Sequence, residues 1–251
     1  MVSEQIYSSH FYNDRHERTV VAAERILDQT LPVLPPIRSA VDVGCGVGTW
    51  LAVLKQRGVT TVHGYEGDWV DSEHIEIPRD CFSTHDLTKP IPRPATRYDL
   101  AISLEVAEHL PESAADTFVA SLVGLSDLVL FSAALPGQGG RHHVNEQWLE
   151  YWLERFAQHD YIGLDVIRRP LWHDTRIADW YRQNTILLAA QSRLDDLALP
   201  APVDTLKPVS MVHPESFTYH LNRNREQVEK HQTIGGSWKL FRRALRSRFI
   251  G

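Results

Sequence analysis

The stretch SLEVAEHL puts two carboxylates and an imidazole, Glu105, Glu108 and His109, within five residues directly after an apolar run. On a helix these positions stand at i, i+3 and i+4 and share one face. They would then converge as a mixed set of hard and borderline donors, suited to Mg²⁺ or Mn²⁺ with positions left open for substrate oxygens. The competing reading is a solvated first turn, where acidic residues favour the positive end of the helix dipole. A further group comes from GQGGRHHVNEQW, where His142, His143 and Glu146 lie in a glycine-rich loop. His143 is the choice for metal ligand or base and His142 the alternative base, although paired loop histidines are also commonly structural.

Positioning these groups requires a frame, and the chain supplies the pattern of one. Residues 11–30 carry Val20, Val21, Ala23, Ile26 and Leu27 at helical spacing, and LPVLPP breaks the helix. SAVDV reads as a buried strand, followed by a glycine turn and a helix closed near Gly58. VTTVHGYEGDW, DCFSTHDL, YDLAISL and SDLVLFSAALP supply the next four strands, the fourth strand of the chain running into the helix expected at EVAEHL. A helix at NEQWLEYWLERFAQH precedes strands at YIGLDVIRR and QNTILLAAQ. Strands alternating with helices predict an α/β fold: a Rossmann-like, seven-stranded, mostly parallel sheet flanked by helices. The sheet domain is expected over residues 1–191. Residues 192–251 form a C-terminal extension, proline-punctuated and then basic and amphipathic.

In VDVGCGVGTW, Gly44, Gly46 and Gly48 follow a strand and precede a helix, where glycine allows a tight turn and close approach of backbone amides to a ligand. Asp42, just before the turn, suits an ammonium group better than a phosphate. Glu66 lies 18 residues beyond Gly48, at the end of the second strand, where a carboxylate can take both hydroxyls of a ribose. Asp86 can accept from an exocyclic adenine amine, or close a turn. From VDVGCGVGTW through Glu66, HDL and YDLAISLEVAEHLP, the sequence resembles the class I S-adenosylmethionine-dependent methyltransferases over about residues 38–191. The resemblance implies that Gly44, Gly46 and Gly48 pass close to the methionine portion and that Glu66 holds the ribose. It also implies that Asp86 and Leu87 face the adenine, and that Leu104 ends the fourth strand beside the transferable methyl group.

The E-x-x-E-H spacing of Glu105, Glu108 and His109 resembles the motif by which small-RNA 2′-O-methyltransferases and ubiquinone-pathway O-methyltransferases bind a divalent cation. The block FSAALPGQGGRHHVNEQW resembles bacterial methyltransferases of sugar and polysaccharide biosynthesis, mycobacterial enzymes of methylated mannosides among them. These resemblances imply an O-methyltransferase using S-adenosylmethionine and Mg²⁺ or Mn²⁺ on a hydroxyl of a saccharide or similar diol. A phenolic or other small-metabolite acceptor, and a non-catalytic nucleoside-binding protein, are the alternatives.

Composition bounds the rest. A formal net charge of -6 with 23% charged residues argues against a generally nucleic-acid-binding surface. Cys45 and Cys81 are too few for a disulfide framework and are expected as free thiols in a reducing, cytoplasmic setting. No run approaches the ~18 apolar residues of a membrane span. The tail cations Lys239, Arg242, Arg243, Arg246 and Arg248 leave peripheral membrane contact open, and a homodimer is also open. Trp148, Tyr151 and Trp152 share a helical face that is either core or a platform for a sugar.

Overall fold

A computed structural model of the chain describes residues 9–232. Helix α1 spans Ser9–Thr30 and buries Ala22, Ala23, Ile26 and Leu27 along one face. Thr30 Oγ1 donates back to the Ile26 carbonyl at 2.7 Å, and the Leu31–Val33 turn, with its proline, ends the helix. Seven strands follow: β1 Ser39–Val43, β2 Thr61–Glu66, β3 Phe82–Thr84, β4 Leu100–Leu104, β5 Leu128–Ser132, β6 Tyr161–Leu164 and β7 Ile186–Ala190. They form one sheet in the order β3-β2-β1-β4-β5-β7-β6. Pairing is parallel from β3 to β5, whereas β7 runs antiparallel to both β5 and β6. The Rossmann-like, mostly parallel plan expected from the sequence is the observed one.

The strand side chains alternate between two cores. Ala40, Leu100, Ile102, Leu130, Leu187 and Ala189 pack with α1 and with α2 (Thr49–Gln56) on one face. Val41, Val43, Ala101, Val129, Phe131 and Leu188 pack on the other with α3 (Ala115–Leu125) and α4 (Leu149–Ala157). Coverage on both faces is why the central strands read as unbroken apolar runs. Because β1, β2, β4 and β5 are parallel, their carboxyl ends open onto one edge. There the order reverses between β1 and β4, the switch point at which such sheets take ligands.

The helix expected to carry Glu105, Glu108 and His109 is absent. β4 stops at Leu104, Glu105 takes φ +56°, and Ala107–His109 form one 3-10 turn. Pro111 accounts for this: the residue before a proline is forced to extended backbone, and Leu110 sits at φ −92°, ψ 143°. Regular helix resumes only at Ala115.

Two short helices, α5 (Arg168–Leu171) and α6 (Asp179–Asn184), lie between β6 and β7. Contacts divide the chain into a unit of Met1–Met211 and a second of Val212–Gly251 that contains α7, Pro214–Gln232. Residues just beyond 191, expected in the extension, pack onto the sheet unit. Asp165 N donates to the Leu206 carbonyl at 2.7 Å, and buried Arg168, paired with Asp165, donates to the Val209 carbonyl at 2.9 Å. Lys239, Arg242, Arg243, Arg246 and Arg248 lie outside the described residues. No helix among the described residues is long and apolar enough to cross a membrane. Both cysteines are free.

Candidate functional site

At the carboxyl end of β1 the chain turns through Gly44, Gly46 and Gly48, with φ of +84°, +55° and +89°. These are left-handed values that favour glycine. Gly44 is also sterically required, since a Cβ there would run into the Val106 side chain, whereas a Cβ at Gly46 would meet no protein atom within 4 Å. Gly46 therefore borders open space. Its amide donates to Glu66 Oε2 at 2.7 Å and the Gly67 amide to Glu66 Oε1 at 2.8 Å, tying the end of β2 to the turn. Each Glu66 oxygen retains a second lone pair, so the carboxylate can still accept two hydroxyls. Burial raises the Glu66 carboxyl above its ordinary range against the pull of those two amides.

Asp42 is a buried carboxyl within β1, raised well above its ordinary range by burial first and by the Glu66 charge second. Asp86 is exposed and held low by its own turn, its Oδ1 accepting from Thr88 N at 3.0 Å and Thr88 Oγ1 at 2.6 Å. Leu87 and Leu104 are buried.

The second half of the site lies beyond β4 and β5. Glu108 is fully buried, and neither Oε1 nor Oε2 has a hydrogen-bond partner of good geometry. Burial, and then the Glu105 charge, push its carboxyl up to about 9 against a weaker pull from the Glu108 and Ala134 amides. One donor atom each from Glu108, His109 and His143 lie within 4.8 Å of one another. His143 Nε2 is 4.0 Å from Glu108 Oε1, and the His109 and His143 rings meet edge-on with centroids 4.8 Å apart. The loop that brings His143 here is pinned to the turn below it. The Val144 and Asn145 amides donate to the Glu108 carbonyl at 2.9 and 3.0 Å.

Glu105 does not join this cluster. Leaving β4 with positive φ, it turns its carboxylate to Gln138 Nε2 at 2.8 Å and Asn184 Nδ2 at 3.1 Å, and burial raises its carboxyl above the ordinary range. Its expected convergence with Glu108 and His109 assumed helical offsets that the backbone lacks. His142 is exposed at φ +63°, and the described cluster does not include it.

Two partners went unread in the sequence, and a third was read without its role. Glu146 binds the loop amides and His143, a role the i+3 spacing allowed but did not separate from ligation. Gln138 and Asn184 carried no local signal, since Asn184 lies 79 residues from the Glu105 it contacts. Of the helical aromatics, Trp152 is core at 2% exposure, while Trp148 precedes α4 and is 46% exposed.

A family model described as "Methyltransferase domain" matches residues 14–180, well over half of the chain. Among curated proteins none matches. Among solved structures, an O-methyltransferase family protein from Burkholderia thailandensis is 12% identical over 73% of this chain and 60% of its own, with a TM-score of 0.50. A TehB-like SAM-dependent methyltransferase from Corynebacterium glutamicum is 17% identical over 73% of this chain and 98% of its own, TM-score 0.47. Streptomyces venezuelae DesVI is 18% identical over 56% of this chain and 61% of its own, TM-score 0.43. The chain thus spans less than two thirds of the first and third of these, and at 12% identity the likeness to the first is one of fold. With the domain match extending over both the glycine turn and the Glu108–His143 cluster, the chain belongs to the methyltransferase-domain family, S-adenosylmethionine-dependent enzymes of the class I fold.

Proposed function

We propose that this protein is a cytoplasmic O-methyltransferase, assisted by Mg²⁺ or Mn²⁺, that methylates a hydroxyl of a saccharide or similar diol. The observation that carries the reading is Glu108: a carboxylate with no exposure, neither oxygen of which has a hydrogen-bond partner of good geometry among the described residues, beside two imidazoles at the carboxyl edge of the sheet. A buried carboxylate without a partner is strongly unfavourable unless it is protonated or meets a cation. The residues fit S-adenosylmethionine as well. Gly46 borders open space and Glu66 has lone pairs left for the ribose hydroxyls, while Asp42 would meet the ammonium group of the methionine portion. Asp86 and Leu87 take the adenine side and Leu104 the methyl side in this reading.

Glu108, His109 and His143 would hold the divalent cation, which would supply positive charge to lower the pKa of an acceptor hydroxyl. The acceptor oxygen attacks the sulfonium methyl in line. An O–CH₃ bond forms as the S–CH₃ bond breaks, and the sulfur leaves as a neutral thioether. The hydroxyl proton passes to an imidazole at the rim, the part assigned to His142. Exposed Trp148 offers an aromatic face to a sugar.

The test is methyl transfer from S-adenosylmethionine to a panel of mono- and oligosaccharides, phenols and catechols, with chelator and with Mg²⁺ or Mn²⁺ restored. Transfer to a sugar that chelator abolishes and either ion restores is the expected result. Full activity of metal-stripped enzyme on its true acceptor would remove the cation, and S-adenosylmethionine binding with no transfer to any class would favour a nucleoside-binding protein.

A further inference from the structure

The carboxylate of Glu146 is engaged from three sides. Its Oε2 accepts from the Gly137 amide at 2.7 Å, and its Oε1 accepts from the Gly139 amide at 2.7 Å and lies 2.8 Å from His143 Nδ1. An ionised carboxylate is an acceptor only, so the imidazole hydrogen on this side sits on Nδ1, and in the neutral ring Nε2 then keeps its lone pair. That Nε2 is the atom 4.0 Å from Glu108 Oε1.

Gly140 supplies the seat. A Cβ there would overlap Nε2, Cε1 and Cδ2 of His143, so the ring lies against bare glycine backbone and any larger residue takes its space. The His109 ring meets it edge-on, with centroids 4.8 Å apart.

We propose that Glu146 and Gly140 are positioning residues that hold the His143 imidazole as its Nδ1–H tautomer with Nε2 presented to Glu108. What Nε2 then receives rests on the metal reading above; the orientation does not. The two residues act by different means, and this makes them separable. Glu146→Gln replaces one acceptor oxygen with an NH₂ group, so at least one of the two glycine amides and Nδ1–H loses its acceptor. Gly140→Ala leaves the carboxylate intact and fills the ring's seat.

The experiment uses the full-length chain, metal-free, with ¹⁵N-labelled histidine. Long-range ¹H–¹⁵N correlations report the His143 tautomer, assigned by the signals that vanish in His143→Ala. Wild type should show Nδ1–H. Glu146→Gln should shift His143 toward Nε2–H, Glu146→Asp should restore part of the Nδ1–H form, and Gly140→Ala should displace the ring resonances. Calorimetric titration with Mn²⁺ should give dissociation constants raised about 10–100-fold in Glu146→Gln and Gly140→Ala, with S-adenosylmethionine affinity within about twofold of wild type. An Nε2–H tautomer in wild type overturns the proposal. So do variants with wild-type tautomer and Mn²⁺ affinity, and so does joint loss of Mn²⁺ and S-adenosylmethionine binding, which would mark a purely structural role. If wild type binds no Mn²⁺ while the tautomer still follows the substitutions, the positioning role stands and the metal reading fails.

Discussion

Replacing Glu108 by Gln should flatten the pH dependence that this carboxyl imposes on the metal-free protein. Its value is raised from 4.5 to about 9, chiefly by burial. Below that window folded and unfolded chains are both protonated at this group, and no penalty applies. Within it the folded protein keeps a proton that the unfolded chain has released, so stability falls as pH rises, by about 1.4 kcal/mol per unit. From the ordinary carboxylate value to pH 7 this accumulates to about 3 kcal/mol, a large part of the ~5–15 kcal/mol that holds a domain folded.

The assay is urea unfolding of wild type and Glu108→Gln in chelator at about pH 6, 7 and 8, the stability difference being read at each pH. That difference should move against wild type by about 1.4 kcal/mol per unit. Millimolar Mg²⁺ should restore wild type at the alkaline end and leave the variant unchanged, because a cation supplies the partner the buried oxygens lack. Parallel pH profiles in the two proteins would refute the argument, and an equal response of both to Mg²⁺ would remove the cation from Glu108.

Glu66→Ala should weaken S-adenosylmethionine binding about 10–100-fold in calorimetry with the fold retained at a lower melting temperature, because it also removes the acceptor of the Gly46 and Gly67 amides. Gly44→Ala should lose about 3 kcal/mol, seen as a melting temperature roughly 6–12 °C lower, because it combines a left-handed φ with a clash against Val106. Arg168→Met should cost about 3–5 kcal/mol in urea unfolding, because it strands the buried Asp165 carboxylate. Deleting residues 236–251 should leave S-adenosylmethionine binding intact, since the sheet is complete at Ala190; lost binding would assign the tail to the core.

The frame and the glycine turn that Glu66 binds were legible in the sequence because their causes are local. A strand buried on both faces must be apolar along its length, as Leu100–Leu104 is, and a left-handed turn needs glycine, as at Gly44, Gly46 and Gly48. Glu66 was legible for the same reason, lying one β-α-β unit beyond the turn that its carboxylate binds. The acceptor half was legible as a set of residues and not as an arrangement. EVAEHL has helical spacing, but Pro111 denies it a helix, and one residue at positive φ sends Glu105 and Glu108 to different partners. Which carboxylate is satisfied was decided by chain segments far apart in sequence. Gln138 and Asn184 arrive from beyond β5 and from α6 to donate to Glu105, whereas among the described residues no side chain donates to Glu108. Hydrogen-bond partners of that kind are fixed by where the folded sheet delivers its loops, so local periodicity carries no record of them.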